Sequence, residues 1–315
     1  MKKCIPIVSL LLLATLSLFI GVQSIPIQDI FQLSEMQSLV LWTTRVPRTI
    51  SLIIAGATIS VSGLIMQHLT QNKFVSPTTA GTMDSARLGM LVAMLFFPNG
   101  TILTKSIIAF VFAFLGTMLF IQLIRILPGK NQLMVPLIGV MFGNIIGSVV
   151  TFFAYQYQLI QNMTSWLQGS FSTISKGNYE LIYVTVPVLL ICYTYAYQFT
   201  IVGMGEEFSI SVGMNYRFVH LIGLLLISIA SSVILVTIGG LPFLGVIIPN
   251  IVSVFLGDHM KETLWLTAIT GSIFLVMADI LSRVVYPPYE IPVSLIVGAL
   301  GSIIFVVLLV KGAKR

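Results

Sequence analysis

Charge is what this sequence lacks most. Only 8% of its 315 residues are Asp, Glu, Lys or Arg, whereas a water-soluble domain carries about 25%. With 57% apolar residues and a mean hydropathy of +1.03, the chain has too little polar surface to face water on all sides, so it reads as a polytopic membrane protein. Cysteine is nearly absent as well. Cys4 and Cys192 are the only two, which excludes a disulfide framework and a Cys-rich metal site. The phosphate-binding pattern G-x-x-x-x-G-K-[ST], the G-x-S-x-G elbow and the H-E-x-x-H helix are all missing. No catalytic, metal or cofactor site is therefore read from the sequence, and any driving energy has to come from a partner or an ion gradient. His68, His220 and His259 fall in separate segments without an i, i+3 or i, i+4 partner, which is no ligand spacing for zinc or iron. The net charge of +6 is scattered singly between apolar blocks, and without a basic run joined to aromatics it argues against nucleic acid.

What the sequence has is long apolar runs. Segments of membrane-spanning length fall at about 5–22, 49–69, 84–98, 104–126, 133–155, 179–202, 218–238, 242–256, 263–283 and 292–310. The expectation is an all-α protein of about ten transmembrane helices, a single transmembrane domain over residues 1–315. The N-terminal stretch resembles a signal peptide, but it is read as an uncleaved first span because so many spans follow. Runs 84–98 and 242–256 are short and contain or follow Gly and Pro, so they are expected to be broken or tilted helices inside the bundle.

Basic residues orient the bundle. With both termini in the cytoplasm, Lys2, Lys3, Lys73, Arg125, Lys130, Arg217, Lys261, Lys311, Lys314 and Arg315 lie inside, and Arg45, Arg48, Lys105, Lys176 and Arg283 lie outside, as the positive-inside rule requires. Asp29, Glu35, Glu180, Asp279 and Glu290 share the outer side. Arg87 remains within a span, three residues after Asp84, at a spacing that pairs them on one helix face. That pair reads first as structural and second as a relay. Asn144, Asn250, Gln67 and His68 are isolated polar groups best explained as interhelical hydrogen bonds. Two stripes of small residues, Gly139/Gly143/Gly147 and Ser294/Gly298/Ser302, repeat every four positions and are expected to pack helices closely or to line a pathway. Between spans six and seven, residues 203–216 form the largest polar cytoplasmic stretch, with Gly205, Glu206, Glu207 and Gly213 placed to break and cap a short helix.

Several motifs then occur in order: "RVPR", "NKFVSPTTAGTMD", "SWLQGSFS", "MGEEFSISVGM", "GGLPFLGVIIPNI", "GDHMKE" and "ADILSR…YEIPVSLIVGALGSIIF". Together they resemble the FecCD family, the permease subunits of ABC importers for ferric siderophores, haem and vitamin B12. The resemblance covers nearly the whole chain and implies a second permease subunit, ABC ATPase subunits inside and an extracytoplasmic substrate-binding lipoprotein outside. It implies that Arg45, Arg48 and Arg283 receive carboxylates of the binding protein, and that Gly205, Glu206, Glu207 and Gly213 lie in the segment that meets the ATPase. Many members carry histidine after the proline where this chain has Asn250, so no role tied to that imidazole transfers. The wording "NKFVSPTTAGTMDSARLG" is closest to members for catecholate-type siderophores such as petrobactin or anguibactin. The rival class is an ion-gradient-driven secondary transporter, which explains the spans and the Asp84–Arg87 pair but gives the "GEE" segment no purpose. An intramembrane enzyme is the third reading.

Overall fold

The computed structural model describes residues 4–21, 34–126 and 134–312. Lys2, Lys3, Asp29, Lys130, Lys314 and Arg315, which entered the charge pattern, lie outside the described residues. Each of the ten expected runs is a helix. These are α1 (Cys4–Phe19), α3 (Val46–Leu69), α4 (Thr82–Phe96), α5 (Ile102–Ile126), α6 (Met134–Gln156), the pair α8 (Thr185–Thr194) and α9 (Ala196–Gly203), α11 (Tyr216–Thr237), α12 (Leu244–Leu256), α13 (Met260–Val284) and α14 (Val293–Gly312). Three short helices join them: α2 (Glu35–Val40), α7 (Ile160–Leu167) and α10 (Glu206–Ser211). Five helices are long and apolar enough to cross a bilayer by themselves, and α8 with α9, bent by 63°, makes a sixth. The second span starts earlier than its apolar run, because a π-helical turn at Leu41–Arg45 fuses α2 to α3 into one rod, Glu35–Leu69.

The two short runs are single short helices, α4 and α12, with much of each buried, while the bend lies between α8 and α9. Segment 70–81 folds back into the bundle before α4 begins, and a membrane protein tolerates such irregular backbone only where it is buried and hydrogen-bonded. The "NKFVSPTTAGTMD" residues supply those bonds themselves. Asn72 Oδ1 accepts from the Phe74 amide, Thr79 Oγ1 accepts from the Ser76 amide, and Gly81 takes φ +72° to turn the chain into α4. Likewise, Gly239 at φ +105° and Phe243 at φ +62° carry the chain inward to α12, and Gly240 bridges the backbone of Gln168 in the "SWLQGSFS" loop.

Contacts separate the two ends of the bundle. Arg48, Asp279, Glu290 and the end of α1 meet at one end, whereas His68, Lys73, Asn250 and Asp258 meet at the other. In the most apolar stretch of each, α3 and α11 are 78% buried, α5 is 33% and α6 is 22%. The first two therefore form the centre, and α5 and α6 face outward. Two close helix crossings use glycines on α3. A Cβ on Gly56 would strike the Gly271 backbone of α13, and one on Gly63 would strike Gly245 of α12.

Candidate functional site

At the outer end, the three arginines of "RVPR" and "LSR" are not free. Asp279, fully buried on α13, accepts from Arg48 Nε at 3.0 Å and Nη2 at 2.7 Å, and also from Arg283 Nη2. Arg48 Nη1 reaches Glu290 at 2.8 Å. Arg283 Nη1 donates to the carbonyls of Ser17 and Ile20, and Arg45 Nη1 donates to Leu18. Those carbonyls belong to the last turn of α1, whose C-terminal C=O groups have no partner within the helix and carry its negative dipole end. The guanidiniums thus cap α1 and tie it to α3 and α13. Arg45 is 6% exposed and Arg283 8%, so both guanidiniums lie within the network and not at its surface. Burying three cations beside two carboxylates requires that their donors be spent internally. The side chains of Arg48 and Glu290 are the more open, at 11% and 25%, against 4% for Arg283.

At the cytoplasmic end, Gly203 closes α9, Gly205 turns at φ +114°, and α10 follows with Glu206 and Glu207 in its first turn. Gly213 at φ +77° ends it, and Asn215 caps α11 by accepting from the Phe218 amide. Glu206 and Glu207 are exposed, and so are Phe208, Ile210 and Val212. Large exposed apolar residues beside two acids have the composition from which protein contacts are built. Behind it lies a cavity of about 600 Å³ bordered by Gln71, Arg125, Glu206 and His220.

The small-residue stripes divide. Gly139 packs on the Thr79 carbonyl and Gly143 on Asp84, but Gly147 has nothing within 4 Å of where a Cβ would be. On α14, Ser294 donates its amide to Gly169 at 3.0 Å, Gly298 touches only Pro242 at 3.5 Å, and Ser302 is exposed. The close approach on that helix is made instead by Gly301, against Phe243 and Ile247. The polar groups divide too. Gln67 donates to Val246 at 3.4 Å, His68 meets the Asp258 carbonyl at 3.2 Å, and Asn250 donates to Lys73 and Val246, both at 2.7 Å. Asn144 does not follow the expectation: it is exposed on α6, and its side-chain amide has no hydrogen bond among the described residues. The Asp84–Arg87 pair forms at 3.0 Å.

The long apolar helices make this a polytopic membrane protein. Its sequence matches the FecCD transport family over residues 9–311, and the chain belongs to that family. It is 48% identical over 302 residues to the petrobactin import system permease protein YclN of Bacillus subtilis, covering 96% of both chains. It is 38% identical to the ferric-anguibactin transport system permease protein FatD of Vibrio anguillarum, again over 96% of both. Among solved structures, an inward-facing metal-chelate type ABC transporter superposes with a TM-score of 0.82 at 22% identity and 97% coverage of each chain, which shows the shared fold.

Proposed function

We propose that the chain is the permease subunit of an ATP-driven importer that moves a ferric siderophore of the catecholate type across the cytoplasmic membrane by alternating access. The observation that carries this is the match in both identity and extent to permeases of petrobactin and anguibactin import, with no part of the bundle left over. The chain has no nucleotide site of its own, so the ATPase is a separate subunit that meets α10. A second permease subunit completes the pathway, and a substrate-binding lipoprotein delivers the cargo outside. Closure of the ATPase pair pushes α10 and switches the bundle between outward and inward opening.

The outer network belongs to this reading. Arg45, Arg48 and Arg283 against Asp279 and Glu290 leave one net positive charge within this network, on an outer face whose basic and acidic residues otherwise balance. Its attraction for a carboxylate is short-range, within a Debye length of about 8–10 Å in ordinary buffers. Arg48 and Glu290, nearest water, form the part a docked protein touches, while Arg45 and Arg283 hold the rim from beneath.

The test is ATP hydrolysis by the assembled complex in nanodiscs, stimulated by loaded binding protein. Glu206→Ala with Glu207→Ala is expected to lower the stimulated rate several-fold, and Phe208→Ser with Ile210→Ser to lower it further by loosening the ATPase contact. Wild-type stimulation in both variants would remove α10 from the coupling.

A further inference from the structure

The exposed faces of α5 and α6 differ in kind. On α5, residues Ile107, Val111, Leu115, Leu119 and Leu123 form an exposed stripe at four-residue spacing, wholly apolar and suited to lipid. On α6, Asn144, Ser148 and Thr151 are exposed along one stripe with Gly147. The hydroxyls bond back to their own helix, to the carbonyls of Asn144 and Gly147 at 2.8 Å each. The amide of Asn144 has no such outlet. An unpaired amide in hydrocarbon costs several kcal/mol, so this face does not meet lipid tails.

Facing the stripe are Asp84 and Arg87 of α4, and together these six residues border an open cavity of about 630 Å³. Its depth follows from Gly143, which packs on Asp84. Gly143 lies nine residues from Met134 at the inner end of α6, about 14 Å at 1.5 Å per residue, and α6 has 23 residues. The ion pair is therefore near the middle of the membrane, where an ionisable residue marks a pathway more often than a packing contact. Arg87 gives one Nη to Asp84, and its Nε has no partner among the described residues. A guanidinium offers five N–H donors, so most of this one is uncommitted.

We infer that Arg87, held in place by Asp84, is a mid-membrane contact for the anionic oxygens of the cargo, and that the Asn144–Ser148–Thr151 face of α6 is the wetted wall opposite it. The inference rests on the proposed function for its cargo. Each catecholate brings two negative charges to iron(III), so with two or three of them the chelated iron centre is a net anion. A guanidinium meets such oxygens with a planar, charge-assisted fork. Asp84 offsets most of the positive charge while the site is empty, which keeps the anion from being held too firmly to leave, the balance any conducting site needs.

The experiment uses the complete transporter in proteoliposomes, with ⁵⁵Fe-labelled ferric petrobactin as the probe. Arg87→Gln is expected to lower initial uptake about tenfold or more, while ATP hydrolysis stimulated by the binding protein stays within about twofold of wild type. Arg87→Lys is expected to keep a larger share of uptake than Arg87→Gln. The neutral double variant Asp84→Asn/Arg87→Gln is expected to stay as low as Arg87→Gln alone. Recovery in the double variant would make the pair structural only, and unchanged uptake in Arg87→Gln would equally overturn the inference. Asn144→Cys, in a chain with Cys4→Ala and Cys192→Ala, is expected to react with a membrane-impermeant methanethiosulfonate. Reaction solely with lipid-soluble reagents, or none because the second permease covers the site, would contradict a wetted wall. If the wild-type complex does not move ferric petrobactin, the proposed cargo is what fails, and the Asn144 labelling still decides the nature of the face.

Discussion

Asp279 accepts from two arginines with no exposure of its own, and that arrangement sets what substitution there does. Removing one partner of a buried ion pair leaves the other charged and unsatisfied, at about 3–5 kcal/mol. Asp279→Asn is therefore expected to lower the melting temperature of the detergent-purified chain markedly, whereas Glu290→Gln, a quarter exposed and paired only to Arg48, shifts it little. Equal shifts would mean that Asp279 is not the keystone of the outer end. Arg48→Glu is expected to weaken docking of the binding protein, and more so at low salt, as measured by surface binding to nanodiscs. Docking that is indifferent to both the charge and the salt would remove Arg48 from the contact. In the sequence, the arginines were visible because charge is so rare. Their partners were less so, since Asp279 lies 231 residues from Arg48 and nothing local signals the pairing.

Helix packing answers to individual glycines. A Cβ at Gly63 has no room beside the Gly245 backbone, so Gly63→Ala must push α12 off α3, while Gly147→Ala enters open space. Membrane abundance of Gly63→Ala is expected to fall steeply and that of Gly147→Ala to stay near wild type, measured by quantitative immunoblot. The reverse order would invalidate the assignment of the two contacts. All ten helices were legible from apolar runs alone, and so was the shortness of α4 and α12, because hydrocarbon imposes a length on any span, whereas the bend between α8 and α9 was not. The stripes were legible only in part. Four-residue spacing identifies a face but not its neighbour: Gly139 of the stripe packs tightly on the Thr79 carbonyl, but equally close approaches at Gly63, Gly116 and Gly271 lie outside both stripes. Asn144 shows the same limit: composition marks it as polar within a span, but only the packed bundle shows that no helix reaches it.

For the whole molecule, charge decided orientation and the motifs decided kinship, each spread along the chain and thus readable without coordinates. The burial of Arg45 and Arg283 was not readable in this way, because it depends on the end of α1 arriving beside α13. The assembled account places a docking rim at the outer end, a polar wall at mid-depth and an apolar-acidic helix at the inner end, in the order that cargo crosses the membrane. Its central claim is that movement of iron is driven by ATP through partner subunits and not by an ion gradient. The most direct test is uptake of ⁵⁵Fe-labelled ferric petrobactin into proteoliposomes holding the chain with its second permease and ATPase subunits, with binding protein added outside. Accumulation that requires enclosed ATP and the binding protein, and that persists when proton and sodium gradients are dissipated by ionophores, is the predicted result. Uptake that proceeds without ATP and stops with the ionophores would contradict it.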